Sequence, residues 1–189
     1  PTPMHRFLNG RALRFGHPSV ARLSSTTSLP AKVDVVVIGG GSLGASVLHH
    51  LTLRGVRALL LESTSLTAGT TWHSAGMLWR LRPSYIDVEL NGYSRQMCID
   101  LERETGVASW NENGGLFVAC NKERLAEYER LAEMGRYYGV EAQVLSADEM
   151  TRVHPLLSTE DVYGALFSPT DGTIDPSGVV MAYTKAARA

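Results

Sequence analysis

The chain has 189 residues, a formal net charge of −1, 44% hydrophobic and 20% charged residues, which is an ordinary globular composition with room for one domain, or one domain and part of another. There is no basic stripe of the kind nucleic-acid binding needs, and no apolar run approaches the roughly 20 residues of a membrane span. The two cysteines, Cys98 and Cys120, make neither a CxxC pair nor a disulfide framework and read as free thiols of a reducing compartment.

Residues 1–29 carry Arg6, Arg11, Arg14 and Arg22, no acid, and a Ser/Thr cluster at Ser24–Ser28, which leaves the remainder mildly acidic. Phe7, Leu8, Leu13 and Phe15 fit a short amphipathic helix. This is the composition of a mitochondrial transit peptide; the other reading is a basic tail without targeting meaning. Pro-Thr-Pro precedes Met4, so the written N-terminus need not be the biological start.

Val33–Ile38 is an apolar, β-branched run, as expected of a strand buried on both faces of a parallel sheet. Glycines follow in the spacing Gly39-x-Gly41-x-x-Gly44, then a helical pattern with Leu43, Val47, Leu48 and Leu51 expected on its core face. Strand, glycine turn and helix in this order form a dinucleotide fingerprint. Gly39 serves the tight turn, Gly41 the approach of backbone to a pyrophosphate, and Gly44 close helix–strand packing. The helix N-terminus offers the phosphates unpaired N–H groups. A second strand, Arg57–Glu62, ends in an acid placed to accept hydrogen bonds from ribose hydroxyls; the βαβ unit is therefore expected over residues 33–62.

Ser63–Gly76 is a long loop rich in hydroxyl residues and glycine, better suited to a ligand than to a core. Asp87–Glu104 reads as a helix with Val88, Met97 and Leu101 inward, stopped by Gly106. Trp110–Cys120 reads as strand, turn and strand about Asn113-Gly-Gly115. Asn121 caps a helix to about Tyr138, with Leu125, Tyr128, Leu131 and Ala132 toward the core and Gly139 closing it. A short strand at Ala142–Leu145, a capping box at Ser146–Glu149, a strand at Val162–Ser168 and a loop at Asp171–Asp175 lead to a last helix with Pro176 at its first position. Two parallel strands cannot cover both of their apolar faces, so a fragment of a larger sheet is expected, with exposed apolar surface that makes residues 30–189 alone prone to aggregate.

The glycine stretch, Leu-Leu-Leu-Glu62 and Thr67-Ala-Gly-Thr-Thr-Trp-His-Ser-Ala-Gly76 together resemble the FAD-dependent amine oxidoreductases of the D-amino-acid-oxidase superfamily, and within it the sarcosine and dimethylglycine dehydrogenase family. The resemblance runs from about Lys32 to the chain end. Asn113–Phe117 and Asp171–Pro176 also fit, and Leu78–Pro83 leans toward the sarcosine branch. It implies an α/β fold: an incomplete FAD-binding Rossmann-like domain over residues 30–189, with the beginning of an α+β substrate domain. FAD would be held by Gly39, Gly41, Ser42, Gly44, Glu62, Thr70, Trp72 and His73, with His73 joined covalently to the flavin. A neutral imidazole is a competent nucleophile for such a bond. The alternative is a loop histidine hydrogen-bonded near the cofactor.

The same resemblance implies oxidation of sarcosine to glycine, with the one-carbon unit released as formaldehyde or captured by tetrahydrofolate, which binds in a C-terminal region beyond Ala189. Electrons would pass to electron-transfer flavoprotein in the mitochondrial matrix. No metal site is expected, and no catalytic acid or base is assigned. Asp171 and Asp175 fit a helix-capping loop. Arg80 and Arg82 fit surface or phosphate-facing positions, with a substrate carboxylate as the other reading. Dimethylglycine dehydrogenase, another flavin amine oxidase and a non-catalytic regulatory paralogue of pyruvate dehydrogenase phosphatase are the competing assignments. The last of these has no need of the Trp72-His73 pair.

Overall fold

The computed structural model describes residues 29–188. All of the expected targeting segment except Leu29 lies outside the described residues. Strand β1 (Val35–Ile38), helix α1 (Ser42–Thr52) and strand β2 (Ala58–Leu61) form the βαβ unit, with β1 and β2 parallel and Val35 opposite Ala58, Ile38 opposite Leu61. The crossover helix is what permits a parallel pair, since a tight turn would impose antiparallel strands.

A 3-10 turn at Thr71–His73 follows, then β3 (Met77–Leu78), α2 (Tyr85–Thr105), β4 (Trp110–Asn111), β5 (Gly115–Ala119) and α3 (Lys122–Tyr138). β6 (Gln143–Leu145), α4 (Ala147–Val153), β7 (Gly164–Ser168), β8 (Gly172–Ile174) and α5 (Pro176–Ala186) complete the described chain. Two antiparallel sheets accompany the parallel pair, ordered β3-β8-β4 and β5-β7-β6.

Local chemistry sets the helix ends. The Asn121 side chain accepts the Arg124 N–H, Ser146 and Glu149 form the expected capping box, and Asp175 caps α5 ahead of Pro176. Helices α2 and α3 stop at Gly106 and Gly139, both left-handed. Lys185 of α5 donates to the Thr105 carbonyl at the exposed end of α2's hydrogen-bond ladder, 2.6 Å away.

The core lies between α3 and the β5-β7-β6 sheet, where Leu81, Val88, Ala119, Tyr128, Leu131, Ala132, Val140 and Leu166 are buried together. Leu145, Met150 and Ala165 form a smaller cluster under α4.

The strand, turn and strand expected over Trp110–Cys120 are present, but β4 pairs with β8 and β5 with β7, so the Asn113-Gly-Gly115 turn carries the chain between two sheets. Three expectations are corrected. The Asp171–Asp175 loop contains β8, the central strand of its sheet, which its glycine-led sequence does not advertise. Helix α1 buries Ala45, Leu48 and His49 rather than the full Leu43–Leu51 stripe; Leu43 is 83% exposed and Val47 is exposed too. Strand β1 is also not buried on both faces as expected: Val37 packs toward Gly44 of α1, whereas Val36 and Ile38 point to the opposite face and are exposed. The hydrophobic pattern of α1 and β1 thus exceeds what the described residues cover.

Candidate functional site

The glycine turn between β1 and α1 is the best-defined site. Gly39 has φ +108°, closed to most side chains, and its N–H bonds the Leu61 carbonyl across the parallel pair at 2.8 Å. A Cβ at Gly44 would stand 2.0 Å from the Gly39 carbonyl oxygen and 3.4 Å from Val37, so only glycine lets α1 rest on β1 here. Gly41 precedes α1 with extended backbone and no side-chain cap, and the first turn holds no acid. The N–H groups of Leu43 and Gly44, in that turn, have no intrahelical acceptor. A helix packed against a strand end with a glycine at its N-cap offers such N–H groups and a positive dipole end to a phosphate.

The loop after β2 folds back over this turn. Glu62 accepts the Gly40 N–H at 2.7 Å through one carboxylate oxygen; the other accepts the Thr64 N–H at 2.9 Å and the Thr64 and Ser63 hydroxyls. These donors, the Gly40 N–H foremost, push the Glu62 carboxyl down to about 2. The acid is therefore ionised at neutral pH and also holds the glycine turn in place. Its lone pairs are partly committed within the chain, a role that the ribose-binding expectation left out. Thr67 donates its N–H to the Gly40 carbonyl at 3.0 Å and accepts the Ser177 hydroxyl at 3.3 Å. It does so with φ +68°, an uncommon conformation for a β-branched residue.

The 3-10 turn Thr71–His73 brings the rest of the loop onto α1. Thr71 Oγ1 accepts the Ser42 N–H at 3.1 Å. Thr71, absent from the sequence-based set, is thus the hydroxyl that meets the helix start, while Thr70 is exposed one residue earlier. Gly40 is the other omission: it is buried, both its backbone groups are bonded, and a Cβ there would meet Leu66 at 2.7 Å. The run of three glycines was its only signal. Trp72 and His73 are exposed beside each other, rings edge to face with centroids 4.8 Å apart. Gly39, Gly41, Ser42, Gly44, Glu62, Thr71 and the Trp72-His73 pair thus share one neighbourhood, reached over β2 and the following loop.

The remaining candidates separate. Asp171 is buried, and its Oδ1 accepts the Arg80 N–H at 3.0 Å while Oδ2 has no partner. Burial raises its pKa against the lowering effect of the Arg80 N–H bond. Asp175 is the α5 cap, as expected. Among the described residues no group of His, Cys, Asp and Glu is arranged to hold a metal, and no helix is long and apolar enough to cross a membrane. Cys98 is buried, which pushes its thiol up to about 11, and Cys120 is exposed.

Comparison with known proteins gives the site a context. The family described as FAD dependent oxidoreductase matches residues 34–189. Mitochondrial sarcosine dehydrogenase of Mus musculus is 51% identical over 172 residues, covering 89% of this chain and 19% of that protein. The mitochondrial pyruvate dehydrogenase phosphatase regulatory subunit of Mus musculus is 33% identical over 177 residues, covering 89% of this chain and 20% of that protein. Crystalline L-proline dehydrogenase from P. horikoshii superposes with a TM-score of 0.79 at 27% identity, over 85% of this chain and 42% of that one. The chain spans about a fifth of the length of the curated relatives it matches.

Proposed function

The chain belongs to the FAD dependent oxidoreductase family, and from that premise we propose that it supplies the cofactor-holding part of a mitochondrial enzyme that oxidises sarcosine to glycine. The observation that carries the reading is the α1 N-terminus: its N-cap Gly41 supplies no side-chain acceptor and its first turn no acid, Thr71 Oγ1 takes the Ser42 N–H while those of Leu43 and Gly44 have no acceptor within the helix, and Gly44 presses it against β1 where a Cβ would stand 2.0 Å from backbone. Such a cradle fits a pyrophosphate. Gly39, Gly41, Ser42 and Gly44 would line it, Glu62 would face the ribose with its uncommitted lone pair, and Thr70, Trp72 and His73 would stand toward the flavin. The 51% identity to a mitochondrial sarcosine dehydrogenase supports sarcosine as the substrate and the mitochondrion as the location; the matrix belongs to the same proposal.

When bound, FAD supplies a two-electron acceptor for an amine C–H bond. The chain's own residues do the rest. The α1 N–H groups fix the diphosphate, and Glu62 and Thr71 hold the glycine turn rigid through the Gly40 and Ser42 N–H groups. His73, exposed and edge-on to Trp72, is the residue we assign to covalent attachment of the flavin. Electron-transfer flavoprotein as acceptor, and tetrahydrofolate or formaldehyde as the fate of the one-carbon unit, belong to the same proposal.

The test is acid precipitation of the protein expressed with flavin available. Yellow colour retained in the washed pellet, and lost in His73→Ala, is the expected result. Flavin released to the supernatant would leave a flavoprotein without the covalent bond. No flavin in either fraction would sink the enzyme reading and favour a regulatory protein, to which the 33% identity with the phosphatase subunit also points.

A further inference from the structure

We propose that His49 of α1 is a proton-operated latch: neutral, it seats the helix against α5, and protonated in mild acid it cannot stay in that interface, so α1 loosens. The residue belongs to a cluster of four rings, His49, His50, Tyr93 and Tyr183, that the candidate flavin site does not use. His49 is 3% exposed. Its ring lies 5.4 Å from that of Tyr183 on α5 and edge-on to His50 at 5.5 Å. Its Nδ1 is buried without a hydrogen-bond partner.

The neighbours leave no place for a positive charge. His50 is tied at both ring nitrogens. The Ser46 carbonyl can only accept, so the His50 Nδ1–H donates to it at 2.7 Å, and in the neutral ring Nε2 accepts the hydroxyl of Tyr93 on α2 at 2.6 Å. The Arg54 guanidinium donates to the His50 carbonyl at 3.0 Å. Tyr183 is bordered by Tyr93 and Cys98; burial pushes the Cys98 thiol up to about 11 and raises the Tyr183 phenol, so both stay neutral in mild acid. Strands β1 and β2, which α1 also packs against, carry no titratable side chain. Among the described residues no carboxylate pairs with either histidine. An imidazolium at His49 needs an acceptor for each ring N–H, and Nδ1 has none. Burial first, and then the neighbouring His50, push its pKa down. A proton on His49 is therefore accommodated only when the ring leaves the interface.

A solvated histidine takes up a proton near its ordinary 6.5, and His49 in the seated helix resists it. Any form in which α1 has opened binds that proton first. Acid therefore favours opening by up to about tenfold for each pH unit below about 6.5. Helix α1 also carries the glycine cradle, and Ser46, which holds His50, lies one turn from Ser42 at its start. Loosening the helix thus displaces the N–H groups of its first turn. A weaker hold on a bound diphosphate in acid rests on the cofactor-holding reading; the latch does not.

Amide hydrogen exchange on the full chain at about pH 7.5 and about pH 5.5, corrected for the intrinsic pH dependence of exchange, reads the opening of each helix. The opening of α1 rises roughly 3- to 10-fold at the lower pH, while that of α3, which contains no histidine, changes by less than about twofold. His49→Phe keeps an aromatic ring without a titratable nitrogen and abolishes the α1 response. His49→Gln, neutral at every pH, gives the same result should the Phe variant fail to fold. Glu62, with its carboxyl at about 2, stays ionised across this window and does not contribute. An α1 response no larger than that of α3, or one that survives these substitutions, would overturn the latch. Acid precipitation without flavin in either fraction would remove the cofactor reading and leave this exchange pattern unchanged.

Discussion

Replacing Gly44 by alanine tests the glycine cradle most sharply. The added methyl carbon would sit 2.0 Å from the Gly39 carbonyl oxygen and 3.1 Å from its carbonyl carbon. An ordinary carbon–oxygen contact is about 3.3 Å, so α1 must retreat from β1 by roughly 1.3 Å. The obstacle is backbone, held by the Gly39 N–H bond to Leu61, so no side chain can rotate away. Overpacking costs about 1–3 kcal/mol, and a backbone obstacle puts this site at the upper end, about 3 kcal/mol. In a chain of this length that is a fall of roughly 6–12 °C in Tm. Gly69→Ala is the control, because a Cβ there meets nothing within 4 Å and the backbone is not left-handed; it is expected to stay within about 0.5 kcal/mol of the parent. Urea and thermal unfolding followed by circular dichroism read both. A Gly44→Ala protein as stable as its parent, or a Gly69→Ala protein equally damaged, would refute the close-packing argument.

Glu62 gives a pH signature. Its carboxyl is depressed in the folded chain, from an ordinary 4.5 to about 2, so its contribution is complete above pH 4.5 and is lost as pH falls through 2. The urea midpoint of the unsubstituted chain should exceed that of Glu62→Gln by a steady margin near neutrality, and the margin should shrink between pH 4.5 and 2; a constant margin would contradict the hydrogen-bond account. Asp171→Ala leaves the Arg80 N–H without its acceptor and should cost about 1–3 kcal/mol, whereas Asp171→Asn, which keeps an acceptor and removes a buried charge, should cost less; equal losses in chemical denaturation would count against this. Ile38 is 87% exposed on the open edge of β1. Ile38→Lys should lower self-association in sedimentation velocity, since an edge lysine opposes strand addition, and unchanged association would remove that edge as its cause.

Much of the site is local and was therefore legible. The order of strand, glycine turn, helix and acidic strand end lies within Val33–Glu62, and each step is a short-range constraint: β-branched residues favour a strand, Gly39 its left-handed turn, Gly44 the contact of helix with strand. Caps at Asn121, Ser146 and Asp175 are equally local, because each side chain bonds an N–H two or three residues away. Tertiary structure alone decided what lies far apart along the chain. The sheet partners of β4 and β5 are set by β8 and β7, some sixty and some fifty residues later, and no turn signal encodes that choice. Thr71 rather than Thr70 meets the helix start because a 3-10 turn sets the loop's phase. Arg80 and Arg82 lie two residues apart; only the bond of the Arg80 N–H to buried Asp171 and the stack of Arg82 on Trp79 and Phe117 give them different surroundings. Sequence fixes a conformation where the partners are a few residues apart, and packing fixes it where they are not.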